Sequence, residues 1–455
     1  MNGELEILKK AGRIGFAFMA TSGGGLERAR RVAEDAKKHI QKREGLSLFC
    51  VDDPVIKRED AARAASFLRR SEIDALVIFH GTHSPSMLTA EIVRDLHVPL
   101  AVWGIPEPAE GPPYACGSMM GILAHVAALA GLDRPFTFAY GLPDSEEARR
   151  EIDRFLRAVI VHRTLRRAKI GILGIPAPGE SGSIDELSVK QTFGCEVQQL
   201  SLFDIERRLE AVSDEQIEAV QIRLQKEDYE FAVTEPETLD RACAALIATR
   251  RCLEDNEIAA LATLWPQLLH EYRYSPGFVN AMLTESGLPA ASEADANGII
   301  MMLVQHLFTG RLPFHANWVQ RDEKNNVVFY WNSGSAPPSL VNPRFKPKIC
   351  DFYQGPENIA VDLPLKTGDV TVSALVCRHG RYKMLISGGR AIEQTSPAKG
   401  AYLNVRFEAP VKRLLDIILE HGFAQHYSIV HEDIEDDLAE FARQLNIEVV
   451  RHEHA

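Results

Sequence analysis

The sequence predicts an α/β protein: two tandem Rossmann-like parallel-sheet domains followed by a β-rich, barrel-like C-terminal domain. Three observations carry that prediction. Short unbroken apolar runs separated by amphipathic helical stretches fill the first two thirds of the chain, the pattern of strands buried on both faces of a parallel sheet. The alternation restarts at Ala168-Lys-Ile-Gly-Ile-Leu-Gly-Ile175, after a helical pattern from Ser145 to about Arg167. Beyond Gly310 the texture changes to strand patterns joined by turn residues. The boundaries that follow are 1–167, 168–311 and 312–455.

In the first segment, Arg13 to Met19 reads as a buried strand, and Gly23-Gly-Gly opens an amphipathic helix after a flexible turn. Ser47 to Val51, Ala75 to Phe79 and Pro99 to Trp103 are further strands, with a helix from Glu59 to Arg70. Ligands of such sheets bind at the carboxyl ends of the strands, here Met19 to Ser22, His80 to Ser84 and Gly104 to Glu107. In the second segment a loop at Pro176 to Gly182 follows the new first strand. Helices near 214–227 and 237–253 flank a short strand, Phe231 to Val233, and Ala259 to Leu264 is a buried strand ending at Trp265-Pro266. None of the glycine-rich turns forms G-x-G-x-x-G or a P-loop, so a nucleotide site has little support.

The third segment has strands at His315 to Val319, Asn326 to Asn332, Asp369 to Cys377, Tyr382 to Ser387 and Tyr402 to Phe407. Lys324-Asn-Asn326 and His379-Gly-Arg381 suit hairpin turns. A helix at about 410–421, a strand at His426 to His431, a helix at about 434–445 and a strand at Ile447 to Arg451 close the chain.

At 455 residues the chain is too long for one ordinary domain. Its formal net charge is −12, from 51 Lys plus Arg against 63 Asp plus Glu, with no basic block, so nucleic acid and anionic membrane are not expected partners. The N-terminus lacks the layout of a signal peptide, and no apolar run approaches a membrane span. Seven scattered cysteines without a C-x-x-C fit reduced thiols in the cytoplasm and do not support a zinc site.

The chemistry-bearing stretch is Pro289-Ala-Ala-Ser-Glu293-Ala-Asp295-Ala-Asn297-Gly298, where a short apolar segment gives way to the apolar helix Ile299 to Phe308. Carboxylates there sit at a helix start, able to offer oxygens to a divalent cation or a sugar hydroxyl. Glu271, 24 positions earlier, and His426, leading into a late strand, complete a set suited to Mn²⁺, Mg²⁺ or Co²⁺. His83, Ser84, Trp103, Asn332 and Gln425 are further candidates for sugar contacts, with Glu293.

Several motifs resemble the L-fucose and L-arabinose isomerase family over nearly the whole chain. Gly81-Thr-His-Ser-Pro85 followed by Pro99-Leu-Ala-Val-Trp103 resembles its first domain, and Cys116-Gly-Ser-Met-Met-Gly121 its Gly-Ser turn. Gly287-Leu-Pro-x-x-x-Glu-x-Asp-x-x-Gly298 is the most specific match. Trp331-Asn-Ser-Gly-Ser-Ala-Pro337, Gly368-Asp-Val-Thr-Val, Arg381 to Gly389 and Gln425-His426 resemble stretches of the C-terminal domain. The resemblance implies a metal-dependent aldose–ketose isomerase acting on a monosaccharide through a cis-enediol(ate). Glu271, Asp295 and His426 would then hold Mn²⁺ (or Mg²⁺ or Co²⁺), with Glu271 and Asp295 catalytic. It further implies a homo-oligomer, trimer or hexamer. The chain departs from the family at Gln267, where relatives often carry a Glu after Trp-Pro, at Ser292 in place of a usual Cys, and in lacking an evident N-terminal arginine motif. A non-catalytic sugar-binding or sensor protein, and a metal-dependent sugar epimerase or aldolase, are the competing readings.

Overall fold

A five-stranded parallel sheet forms from β1 (Gly12–Met19), β2 (Leu46–Cys50), β3 (Ala75–His80), β4 (Leu100–Gly104) and β5 (Thr137–Tyr140), in the order β2-β1-β3-β4-β5. The computed structural model describes residues 12–23, 25–110, 114–174, 184–264, 268, 270–393 and 399–453. Apolar side chains leave both faces of this sheet. Ile14, Phe16 and Phe79 pack with Ala29, Ala33, Ile152 and Phe155 of the helices Leu26–Gln41 and Glu146–Leu165. Ala17, Leu76 and Ile78 pack with Ala61, Ile92 and Ile122 from three helices on the other face. The sheet is therefore doubly wound, with its switch point between β1 and β3.

The chain divides into two compact units, one comprising the segment that ends at Thr164 together with Asp436–Ile447, the other Leu165–Glu435 with the segment from Glu448. The late helix Glu435–Gln444 contributes to the first unit: Asp436 pairs with Arg154 at 2.8 Å, Asp437 with Arg157 at 2.5 Å, and Glu440 accepts from Thr137 Oγ1 at 2.5 Å.

In the second unit β6 (Lys169–Leu173), β7 (Glu196–Leu200), β9 (Ile258–Thr263) and β10 (Ala290–Ser292) form a parallel sheet in the order β10-β9-β6-β7. The expected strand around Phe231 is absent from it. That segment, β8 (Glu230–Ala232), pairs parallel with β13 (Lys348–Phe352) instead. All three of its side chains are exposed, so it has no apolar face with which to claim a central place. The expected loop at Pro176 to Gly182 and the strand end at Trp265-Pro266 lie outside the described residues.

Six antiparallel strands close a barrel: β11 (Phe314–Asp322), β12 (Val327–Asn332), β15 (Gly368–Arg378), β16 (Arg381–Ile392), β17 (Ala401–Arg406) and β18 (His426–Val430). Pairing runs β16-β15-β18-β11-β12-β17, and a β16–β17 contact completes the circle. The strand β14 (Gly355–Pro364) joins β13 to β17, and β19 (Glu448–Arg451) adds a parallel strand to β16. The fold class is thus parallel-sheet α/β followed by a barrel-like β domain. Among the described residues no helix is long and apolar enough to cross a membrane.

The helix Ala296–Thr309 joins parallel sheet to barrel within this unit. Its residues from Ala296 to Gln305 are buried apart from Asn297. Gln305 donates to the Ser428 carbonyl and to Ser373 Oγ, each at 3.0 Å, and accepts from Ser428 Oγ at 2.6 Å. A buried amide satisfied on both atoms holds one register, and so fixes the helix relative to β15 and β18.

Candidate metal and active site

At the carboxyl end of β10 the chain turns through Glu293 and Ala294, both in the left-handed region at φ 69° and 51°. Two successive non-glycine residues there are strained and persist only where the surroundings enforce them. Ala294 is fully buried, and its N–H donates to the Thr263 carbonyl of β9 at 2.9 Å. The turn delivers Asp295 as N-cap of Ala296–Thr309, its Oδ1 accepting from the Gly298 N–H at 2.9 Å.

The barrel supplies two imidazoles. In the β11–β18 ladder His315 faces Ser428 and Asn317 faces His426, so His315 and His426 are diagonal neighbours on one face. Their rings lie 4.9 Å apart. His426 Nδ1 is 2.9 Å from Asp295 Oδ2, and its Nε2 is 2.6 Å from Glu293 Oε2. His315 Nε2 is 3.5 Å from Asp295 Oδ2, and among the described residues neither of its ring nitrogens has a hydrogen-bond partner. Gly298 makes the approach possible: a Cβ there would lie 2.4 Å from His315 Nε2 and 2.9 Å from Asp295 Oδ2.

Burial alone would raise the Asp295 carboxyl, but His315 and His426 outweigh it and hold the group far below the usual carboxylate range. Burial would lower His426; the two carboxylates outweigh it and push the imidazole up to about 10. Burial lowers His315, assisted by the charge of His426 and opposed by Asp295. Glu293 is lowered because His426 overcomes its desolvation.

Asp295, His315 and His426 each offer one ligand atom, all within 4.8 Å of one another and all buried. One carboxylate and two imidazoles, one of them buried without hydrogen bonds, fit a divalent transition metal. His315 is the member that sequence reading missed. A helix of 14 residues spans ~21 Å, so twenty positions past Asp295 gives no hint that the returning strand brings His315 back beside it.

The structure brings together Asp295, Glu293 and His426 but not Glu271, which is exposed in the turn before the helix Pro276–Glu285 and outside the ligand group found among the described residues. Gln267 lies outside the described residues. Asn332 is buried; it donates to Ser292 Oγ at 3.1 Å and accepts from Ser335 Oγ at 2.7 Å, tying β12 to the end of β10. Gln425 is exposed, with its carbonyl accepting the Trp318 N–H at 3.0 Å. His83, Ser84 and Trp103 belong to the other unit. His83 is exposed, whereas Ser84 is buried with its hydroxyl 3.0 Å from His125 Nε2. Trp103 is 0% exposed and donates to the Gly141 carbonyl at 3.0 Å, so it is a core residue with no ring face left for a sugar.

A doubly wound domain, a second parallel sheet and a closed barrel, with an Asp–His–His group that could hold a metal ion where sheet and barrel meet, define an α/β protein with a candidate metal site. The family described as "Fucose/sulfoquinovose isomerase, N-terminal domain" matches residues 26–166, and "L-arabinose isomerase central domain" matches residues 182–309. A sulfoquinovose isomerase of Alkalicoccus urumqiensis is 24% identical over 391 residues, covering 84% of this chain and 86% of its own. One from Priestia megaterium is 24% identical over 384 residues (84% and 86%), and one from Clostridium sp. strain MSTE9 24% over 388 residues (83% and 86%). A solved periplasmic solute-binding protein from Actinobacillus succinogenes 130z with bound D-allose covers 66% of this chain and 91% of its own at 12% identity, with a TM-score of 0.17, too low to bear on fold or function. The chain belongs to the L-fucose/L-arabinose isomerase family and is an aldose–ketose isomerase.

Proposed function

We propose that the protein interconverts a monosaccharide aldose and ketose through a cis-enediol(ate), at a divalent-cation site formed by Asp295, His315 and His426. The carrying observation is the buried approach of these three residues, with the His315 nitrogens left without hydrogen bonds. Mn²⁺ is the proposed cation. Two imidazoles favour it or Co²⁺ over Mg²⁺, which prefers an all-oxygen octahedron. Such a cation would polarise the adjacent oxygens of the open-chain sugar and stabilise the enediolate charge.

The chain's own residues set the rest. Asp295 is oriented by its cap bond to Gly298, and His315 and His426 by the β11–β18 ladder, so the ligand group is held in place before substrate arrives. The Gln305 network keeps sheet and barrel in register behind it. A cytoplasmic homo-oligomer belongs to the same proposal, supported by the family resemblance, with the mass in solution as its check.

The relatives' names make sulfoquinovose the first substrate to try, followed by L-fucose and L-arabinose. Each sugar would be incubated with protein and Mn²⁺, then with chelator. Turnover of one of them that stops with chelator and returns with Mn²⁺ is expected. Binding of Mn²⁺ without turnover of any would sink the proposal.

A further inference from the structure

Both oxygens of Asp295 are already engaged. Oδ1 takes the Gly298 N–H, while Oδ2 faces His426 Nδ1 at 2.9 Å and His315 Nε2 at 3.5 Å; the side chain is only 4% exposed. Isomerisation through a cis-enediol needs one base that takes a proton from one carbon and returns it to the next. A carboxylate pinned as a helix cap between two imidazoles has no freedom to do this.

Glu293 has that freedom. It is one methylene longer, its side chain is 35% exposed, and it is held from one side by His426 Nε2 at 2.6 Å and by the Asn317 side chain. The left-handed backbone at Glu293 and Ala294, anchored through Thr263, turns it onto the imidazole from the open side, while Asp295 approaches from the buried side. The half-exposed phenol of Tyr353 lies close enough for the Glu293 charge to raise it, after burial.

We infer that Glu293, not Asp295, is the catalytic carboxylate that carries the proton between C1 and C2 of the sugar. The inference rests on the isomerase reading above and assigns within it a role that the family resemblance gave to Glu271 and Asp295. From the open-chain aldose, Glu293 takes the C2 proton; the C2–H pair becomes the C1=C2 bond and the carbonyl π pair moves to O1. The protonated Glu293 then delivers its proton to C1, the C1=C2 pair forming the new C1–H bond. The O2–H pair becomes the C2=O bond, and that hydroxyl proton passes to O1. Glu293 ends as the carboxylate it began, and no oxidant or reductant enters.

The test uses the full-length protein loaded with Mn²⁺, as parent, Glu293→Gln and Asp295→Asn, on the sugar panel in D₂O with NMR readout and separate calorimetry of Mn²⁺ binding. Glu293→Gln is expected to lose turnover ~10²–10⁴-fold and to lose deuterium incorporation at C1 of the ketose equally, while still binding one Mn²⁺ per chain. Asp295→Asn is expected to lose Mn²⁺ itself. An active parent with Glu293→Gln turning over within about threefold of it overturns the inference alone. Failure of Glu293→Gln to bind Mn²⁺ at saturating concentration overturns it too, since Glu293 would then be a required ligand. A parent that binds Mn²⁺ and isomerises nothing brings down the isomerase reading and this inference with it.

Discussion

Asp295 Oδ2 and His426 Nδ1 lie 2.9 Å apart across 131 residues of sequence, and the buried pair joins the parallel sheet to the barrel. An imidazolium held between Asp295 and Glu293 has its charge compensated, which is why burial does not drive the proton off. Several consequences of this geometry are measurable.

A cation must displace the His426 proton to use that ring as a ligand. With the imidazole pushed up to about 10, Mn²⁺ binding near pH 7.5 should release about one proton, and affinity should rise by up to ~10-fold per pH unit below that value. Calorimetry in buffers of different ionisation enthalpy measures the proton directly. Binding with no proton release would show that His426 is not a ligand.

Gly298→Ala reverses the ordinary sign of a helix substitution. Within a solvent-facing helix the change stabilises by about 1 kcal/mol, but here the new methyl meets His315 Nε2 at 2.4 Å, with Asp295 Oδ2 at 2.9 Å. Weaker Mn²⁺ binding by at least ~10-fold and a lower Tm are expected together. An unchanged affinity with a raised Tm would mean that His315 and Asp295 are free to move apart.

The N-terminal unit carries a separate acid sensitivity. His80 and His125 pack at 4.3 Å between ring centroids; burial holds His80 well below its ordinary value and His125 at about 4. Because the folded pKa is depressed, the unfolded chain binds more protons below about 6.5, and stability falls as pH drops from about 6.5 towards 4. Urea unfolding should show a loss of about 2 kcal/mol from His125 between pH 7 and pH 5, with His80 adding in the same direction. His125→Asn should reduce that slope; an identical slope would place the proton uptake elsewhere.

Phe441, on the late helix that joins the N-terminal unit, is 0% exposed and packs against His162 at 6.4 Å. Phe441→Ala should cost about 3–5 kcal/mol, and limited proteolysis should then cut first between residues 12 and 164. Cleavage confined to the barrel would contradict the assignment of this helix to the N-terminal unit.

Much of this architecture is legible in the chain because parallel strands buried on both faces are written as unbroken apolar runs, as at Ala75–His80 and Leu100–Gly104. The four-residue β5, with Phe138 and Tyr140 not fully buried, carries too little of that signal, and the strand read at Phe231 forms as the exposed β8 outside the parallel sheet. The acidic turn is visible as Glu-x-Asp-x-x-Gly because a cap and a close-packed glycine leave residue types behind. Of its imidazole partners, His426 is named through the family resemblance but His315 is not, since its meeting with His426 across the β11–β18 ladder depends on register and not on spacing. Glu271 illustrates the converse: a carboxylate near a strand end in sequence, exposed in a turn in the fold. Trp103 looks like a sugar platform until its indole N–H is found bonded inside the core.

The most direct test of the account is the stoichiometry of Mn²⁺ bound by the full-length protein, compared with Asp295→Asn and His315→Ala. One ion per chain, lost in both variants while each remains folded, is the predicted result. Retention of the ion at parental affinity by both would contradict the site at the sheet–barrel junction.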